Sequence, residues 1–139
     1  MRHFFLFAAA ALRAAAPATA ASPLEGSWVN PHGNVTVRIA PCGATLCGRV
    51  TSASPHAREK AANAGTNQLI GTELMNDIEQ VGPHRWQAEI FVPDHNVRAS
   101  GEIRLEGQSE MLVRGCALHG LVCKTQSWNR VASSPRRPN

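Results

Sequence analysis

Short stretches in which apolar and polar residues alternate run through most of the chain. Val35, Val37 and Ile39 alternate with polar neighbours, and Ile103 and Leu105 do the same further along. A period of two is the pattern of a half-buried β-strand. The pattern predicts strands near 26–30, 34–41, 46–53, 68–75, 77–81, 85–92, 97–105, 109–116 and 122–131.

The breaks between these runs are short and contain Gly, Pro and Asn, which indicates hairpins rather than crossover helices. The best helix candidate, 57–64, has good helical propensity but no apolar stripe, so we interpret it as a connection. Eight or nine strands in one small domain must hide their edges, and closing the sheet does so. The pattern therefore predicts an all-β fold, a single antiparallel up-and-down β-barrel of about eight strands.

A barrel of this size is either filled by its own side chains or holds one small ligand at its open end. Trp86 and Phe91 are large apolar residues on one predicted hairpin arm, so each is a candidate for the core or for a ligand pocket. Alternation predicts that Glu102 and Arg104 lie on the outer face of their strand. The size of the inward residues decides whether a cavity remains.

Residues 1–21 resemble a secretory signal peptide: Arg2 precedes an apolar stretch, and the segment ends near Ala18-Thr19-Ala20, an Ala-x-Ala cleavage pattern. We therefore expect a periplasmic or secreted protein with a β-barrel domain over 22–131 and a disordered tail over 132–139. No second long apolar run exists, so no membrane span is expected after leader removal.

Charge changes this picture little. Without the leader, the chain has 12 Lys and Arg residues and 10 Asp and Glu residues, which gives a net charge of +2. The basic residues are interspersed with acidic ones and form no stripe, so no nucleic-acid partner is expected.

The four cysteines form two close pairs that flank predicted turns, Cys42 with Cys47 and Cys116 with Cys123. Three pairings are formally open, and we expect the sequential one, which staples two hairpins. A zinc site with four thiolates is the alternative. Spacing argues against it, because zinc pairs usually lie about two to four residues apart and an exported compartment favours disulfides. We expect no metal.

Candidate catalytic groups are sparse. The histidines outside the leader fall in predicted loops or turns, at positions 32, 56, 84, 95 and 119, where they are expected to be solvated. Asp94-His95 is the only adjacent acid and imidazole pair, and strand neighbours point to opposite faces unless a turn brings them together. No nucleophile elbow, phosphate loop or His-Glu-x-x-His motif occurs. We therefore expect no catalytic residues, no cofactor and no enzymatic activity.

Gly26 and Trp28 near the start and Arg130 near the end resemble the pattern of calycin-type barrels, lipocalins among them. In those barrels a terminal basic side chain lies across an early tryptophan. A guanidinium over an indole face gains about 0.5 to 2 kcal/mol. The resemblance implies that Trp28 and Arg130 close the barrel and do not contact a ligand.

A closer resemblance extends over nearly the whole chain after the leader. Its most specific segments are Gly26-Ser27-Trp28, the cysteine-containing stretch 39–50 and the stretch 114–131, which ends in Trp128-Asn129-Arg130-Val131. These segments resemble the DUF2147 family of small exported bacterial proteins. The resemblance implies a lipocalin-like or streptavidin-like barrel in the periplasm, and it brings no established chemistry or ligand.

Two functional hypotheses follow. The first is a periplasmic barrel that binds a small apolar or amphipathic molecule without changing it. The alternative is an envelope structural or protein-interaction module whose barrel is filled, without a ligand, and whose rim loops contact an envelope protein partner.

Overall fold

The computed structural model of the chain describes residues 21–132. The predicted signal peptide, 1–21, and the predicted tail, 132–139, lie outside the described residues except for residues 21 and 132. The elements in chain order are β1 (Gly26–Val29), β2 (Val35–Cys42), β3 (Thr45–Ala53), α1 (Pro55–Asn63), β4 (Glu73–Gly82), β5 (Arg85–Val92), β6 (Val97–Glu106), β7 (Glu110–Ala117) and β8 (Val122–Arg130).

The eight strands form one closed antiparallel barrel in which each strand pairs with the next along the chain. β1 and β8 complete the ring through the pairs Trp28 with Arg130 and Val29 with Asn129. The prediction of an all-β, up-and-down barrel is confirmed, with eight strands. Closure leaves no strand in residues 21–132 with a free edge, as a small barrel requires.

The antiparallel order places alternate connections at opposite ends of the barrel. We call one end the floor. It carries the segment 21–25 and the turns 42–45, 82–85 and 106–110. We call the other end the mouth. It carries the loops 30–34, 92–97 and 117–122 and the long connection 53–73, which contains α1.

The prediction of two strands at 68–75 and 77–81 is wrong, because one strand, β4, covers most of this region. The pairing of β4 with β5 shifts register around Asp77, whose φ is 49°. Residues three apart face opposite sides of a regular strand. Because of the shift, Met75 and Ile78 are both buried. Such a bulge breaks the period of two, which made one strand look like two.

The interpretation of 57–64 as a connection without a helix is also wrong, because α1 occupies this region. The Ser54 hydroxyl caps the helix by accepting a hydrogen bond from the Ala57 backbone N–H at 3.1 Å, and Pro55 begins the first turn. The helix buries Ala61 against the core. A contact made by alanine leaves no apolar stripe in the sequence. Within the described part of the chain, no helix is long and apolar enough to cross a membrane.

Large inward side chains fill the half of the barrel next to the floor. Five of the most deeply buried are Trp28, Trp86, Ile39, Ile103 and Met111, each at most 1% exposed. On the outer face of β6, Glu102 and Arg104 approach to 3.6 Å, which confirms the predicted alternation. Trp86 packs in the core and is not among the residues that line the cavity described below.

Two disulfides staple the barrel with the sequential pairing that the spacing predicted. Cys42 bonds to Cys47 next to the floor, with their Cα atoms 5.5 Å apart. Cys116 bonds to Cys123 next to the mouth, with their Cα atoms 4.1 Å apart. Because the two pairs lie at opposite ends of the barrel, the four sulfur atoms cannot share one ion. The geometry excludes the alternative of a four-thiolate zinc site.

Candidate functional site

The floor is closed by the indole of Trp28 and the guanidinium of Arg130. The Arg130 Cζ atom lies 4.3 Å from the Trp28 ring centroid. The Trp28 Nε1–H donates a hydrogen bond to the Leu24 carbonyl at 3.0 Å. The guanidinium also donates three hydrogen bonds, at 2.7, 2.8 and 2.6 Å, to the backbone carbonyls of Gln108, Glu25 and Pro23. One side chain thus joins both ends of the described chain across the floor.

Gly26 is part of this closure. A Cβ atom at this position would lie 2.6 Å from Nη1 of Arg130. Its backbone φ of 134° is also a value that residues other than glycine rarely adopt. The absence of a side chain therefore lets the guanidinium reach the backbone carbonyls beneath the tryptophan.

Above the closed floor, the barrel contains a cavity of about 470 Å³ that opens at the mouth. Its volume lies within the range of about 300 to 1,000 Å³ that is typical of small-molecule sites. Ala99, Gly115 and Ala117 form a wall of small residues on β6 and β7. These small residues leave the upper half of the barrel open.

Most of the remaining lining is apolar. The aliphatic and indole side chains come from six of the eight strands and from the connection 53–73: Val35, Leu69, Leu74, Met75, Ile90, Val92, Val97, Val113, Val122 and Trp128. The walls of the cavity are therefore mainly hydrophobic.

Polar side chains are concentrated on β8 and at the mouth. Gly115 pairs with Lys124 and Val113 pairs with Gln126, and all four line the cavity. Directly paired residues of antiparallel strands lie on the same face, so Lys124 and Gln126 lie on the inner face of β8. Lys60 of α1 also lines the cavity. The site thus combines apolar walls with two ammonium groups and three amides, those of Gln126 and of Asn30 and Asn34 at the mouth.

Asp94 and His95 lie at the mouth, where the β5–β6 turn brings the two side chains together. Their closest atoms, Oδ2 and Nε2, are 3.8 Å apart, which is too long for a hydrogen bond. The side chains are 39% and 74% exposed. The two side chains therefore lie next to each other at the exposed mouth without a hydrogen bond between them.

The other histidines are distributed over both ends of the barrel. His32 lies in a mouth loop, His119 in the β7–β8 turn and His84 in a floor turn, whereas His56 lies on α1 rather than in the predicted loop. Among residues 21–132, the only grouped metal-ligand side chains are Cys42, Cys47 and Glu73. The two sulfurs of this group are already bonded to each other.

Phe91 lies at the edge of the cavity. Strand alternation places its side chain on the face of β5 opposite Ile90 and Val92. The Arg98 guanidinium covers its ring, with Cζ 4.8 Å from the centroid. Phe91 is thus among the lining residues, but one face of its ring is occupied by the protein itself.

The profile of the DUF2147 family, described as an uncharacterized protein conserved in bacteria, matches residues 26–130. The chain belongs to this family. The matched segment begins at Gly26 and ends at Arg130, so it contains the whole barrel and both closure residues. The structure of this DUF2147 member also gives the barrel that the resemblance implied.

A search of solved structures finds protein HP1028 from Helicobacter pylori, described as belonging to the lipocalin family, with a TM-score of 0.61. The two sequences are 12% identical, and the match covers 78% of this chain and 83% of that protein. At this identity the likeness establishes a lipocalin-like fold. No curated protein matches the sequence significantly.

Sequence reasoning missed Lys60, Lys124 and Gln126 as cavity residues. A signal for two of them was present in β8. Trp128 is a large apolar residue in a strand, and placing it inward also turns residues 126 and 124 inward. Lys60 carried no such signal, because its position depends on how α1 packs over the mouth.

Proposed function

We propose that this DUF2147 protein is an exported, non-catalytic binding protein for a small apolar or amphipathic molecule. One observation carries the proposal: a barrel sealed at its floor by Trp28 and Arg130 contains a mainly apolar cavity of about 470 Å³ whose lining includes residues of the mouth loops. Burial of apolar surface gives about 25 cal/mol per Å², so such walls favour a guest with a sizeable apolar part.

Two further features support this proposal. The two disulfides fit a protein that functions outside the cytoplasm, and with the Ala-x-Ala leader they favour the periplasm. The titratable side chains around the cavity do not form a nucleophile and base pair, which favours binding over turnover.

The proposal can be tested with the neutral fluorophore N-phenyl-1-naphthylamine, whose emission rises in apolar sites. Gly115→Leu should fill the cavity and reduce binding at least about tenfold, the loss of about 1.4 kcal/mol. Gly115→Ala is the matched control, because a Cβ atom there would meet only the Ala99 Cβ at 3.8 Å. Folding of both variants is checked by circular dichroism. Equal binding by both folded variants would place the fluorophore elsewhere and contradict the proposal.

A second candidate function, contact with an envelope protein through the mouth loops, is favoured by a separate observation. Five of the seven exposed large apolar residues in residues 21–132 surround the mouth: Ile70, Val97, Leu118, Leu121 and Val122. A photoreactive amino acid at Leu121 should give one discrete cross-linked product in living cells. The control position is the exposed Arg38 on the barrel wall. The same products at both positions would indicate random collision.

A further inference from the structure

The basic residues that line the cavity differ in type from those on the outer wall. The full sequence has only two lysines, Lys60 and Lys124, and both line the cavity. They come from different elements, α1 and β8. Between residues 21 and 132, neither ammonium group takes part in an ion pair within 4.0 Å.

The outer wall carries arginines instead, and four of them, Arg49, Arg85, Arg98 and Arg104, lie within 4.0 Å of an acid. Arg49 lies 2.6 Å from Glu73, and Arg98 lies 3.2 Å from Glu89. Inside the cavity the only carboxylate in the lining is that of Asp94, next to His95. Two lysines against one aspartate leave the lining with a formal excess of one positive charge.

The lining contributed by β4 and β5 is apolar, whereas β8 contributes Lys124 and Gln126 beside Val122 and Trp128. Lys124 and Gln126 lie on β8, which is four strands away from β4 in a ring of eight and therefore lies across the barrel from it. β4 contributes Leu74 and Met75 to the cavity, and the neighbouring β5 contributes Ile90. Gly115 lies beside Lys124 without a side chain, which leaves room next to the ammonium group.

We propose that the cavity takes an anionic amphipath whose acidic group is bound by Lys124 and Lys60 near the mouth and whose apolar part packs against β4 and β5. The inference rests on the proposed binding function and specifies its ligand class. An ammonium group binds a carboxylate, sulfonate or phosphate oxygen by a charge-assisted hydrogen bond, which is stronger than a neutral one. Gln126, one inward position deeper on β8, supplies a further amide donor to the same ligand.

The test compares two probes of nearly identical shape, N-phenyl-1-naphthylamine and its anionic counterpart 8-anilinonaphthalene-1-sulfonate. The wild-type protein should bind the sulfonate more tightly than the neutral amine. Lys124→Met should weaken the sulfonate about tenfold, as expected for loss of a hydrogen bond to a charged group, and leave the neutral amine within about twofold. Lys124→Arg keeps the charge and should restore most of the sulfonate affinity.

The matched control is Arg114→Met, which removes one positive charge from the outer face of the neighbouring strand β7. Arg114 pairs with Thr125, one residue from Lys124, but on the opposite face of the sheet. This variant changes the net charge of the protein equally and should leave both affinities unchanged. An equal loss of sulfonate affinity in both variants would indicate a general charge effect and overturn the inference.

The outcomes separate the inference from the proposed function. If neither probe binds the folded protein, the proposed binding function fails. If both probes bind equally well, Gly115→Leu blocks them and Lys124→Met has no effect, the binding function stands and the anionic ligand class is wrong. If the sulfonate preference disappears only in Lys124→Met and the corresponding Lys60→Met variant, the inference is supported.

Discussion

At the scale of single residues, Arg130 makes the contacts that close the barrel. Its guanidinium covers Trp28 and donates to three carbonyls, two of which lie in the segment before β1. Hydrogen bonds from a charged donor each contribute about 1.5 to 3 kcal/mol, and the indole contact adds about 0.5 to 2 kcal/mol. The two closure residues should therefore depend on each other.

We expect Trp28→Ala to lower the free energy of unfolding by about 3 to 5 kcal/mol and Arg130→Ala by about 2 to 4 kcal/mol. The double variant should lose at least about 1 kcal/mol less than the sum, because each single change already removes their shared contact. Urea unfolding of the four proteins completes the cycle. Strictly additive losses would show that the cation–π contact contributes nothing measurable.

Leu118 combines two unfavourable features at the mouth. Its φ is 53°, in the left-handed region that a leucine rarely adopts, and its side chain is 68% exposed. Strain of this kind costs about 1 to 3 kcal/mol and tends to persist where it serves a function. An exposed leucine in a strained turn is consistent with a role for the mouth loops in contact.

Leu118→Asn should raise the free energy of unfolding by about 0.5 to 1 kcal/mol, because asparagine tolerates the left-handed region. Leu121→Asn is the control: it removes a leucine that is 85% exposed and has no positive φ. Its effect should stay within about 0.5 kcal/mol. Equal stabilisation by both would mean that lost surface apolarity, and not backbone strain, is responsible.

At the scale of elements, the sequence predicted regular strands well and irregular ones poorly. Hairpins such as β5–β6 follow strict alternation, so their extents were predicted within a residue. β4 contains the bulge at Asp77, where the shift in register interrupts the alternation of apolar and polar residues. α1 packs through Ala61, which a hydrophobic pattern does not register. The cavity lining was hardest to predict, because it depends on register and on how α1 lies over the mouth.

The two disulfides should have different functional effects although their contributions to stability are similar. Each closes a short loop, which corresponds to about 2 to 3 kcal/mol in the chain-entropy account. Cys116 and Cys123 join β7 to β8 beside Lys124, whereas Cys42 and Cys47 lie at the floor.

We expect replacement of either pair by serine to lower the midpoint of thermal unfolding by a similar amount. Only Cys116→Ser with Cys123→Ser should also weaken binding of the naphthylamine probe, because it frees the hairpin that forms part of the cavity wall. Calorimetry and fluorescence titration measure the two effects. A larger loss of binding from the Cys42 and Cys47 pair would place the functional end of the barrel at the floor.

At the scale of the whole molecule, the two ends of the barrel are packed differently. The floor half is filled with Trp28, Trp86 and other large side chains, whereas the mouth half keeps a cavity beside the small residues Ala99, Gly115 and Ala117. An empty cavity lowers the free energy of unfolding in proportion to its size. A guest that binds the folded state raises it again. The same chain should therefore be measurably more stable when it carries its natural guest.

The last prediction concerns the protein as its own cell makes it. Gently purified from the periplasmic fraction, it should show by native mass spectrometry one added organic mass, which negative-ion analysis of the extract identifies as an acid. After denaturation the chain should begin near residue 21 and be four hydrogens lighter than its reduced form, as two disulfides require. Removal of the guest should lower the unfolding midpoint, since a ligand that binds only the folded state stabilises it by mass action. If the guest is neutral, the proposed binding function stands and the proposed role of Lys124 is wrong. If the native mass shows no guest and neither naphthylamine probe binds, the result favours contact with a protein partner through the mouth loops.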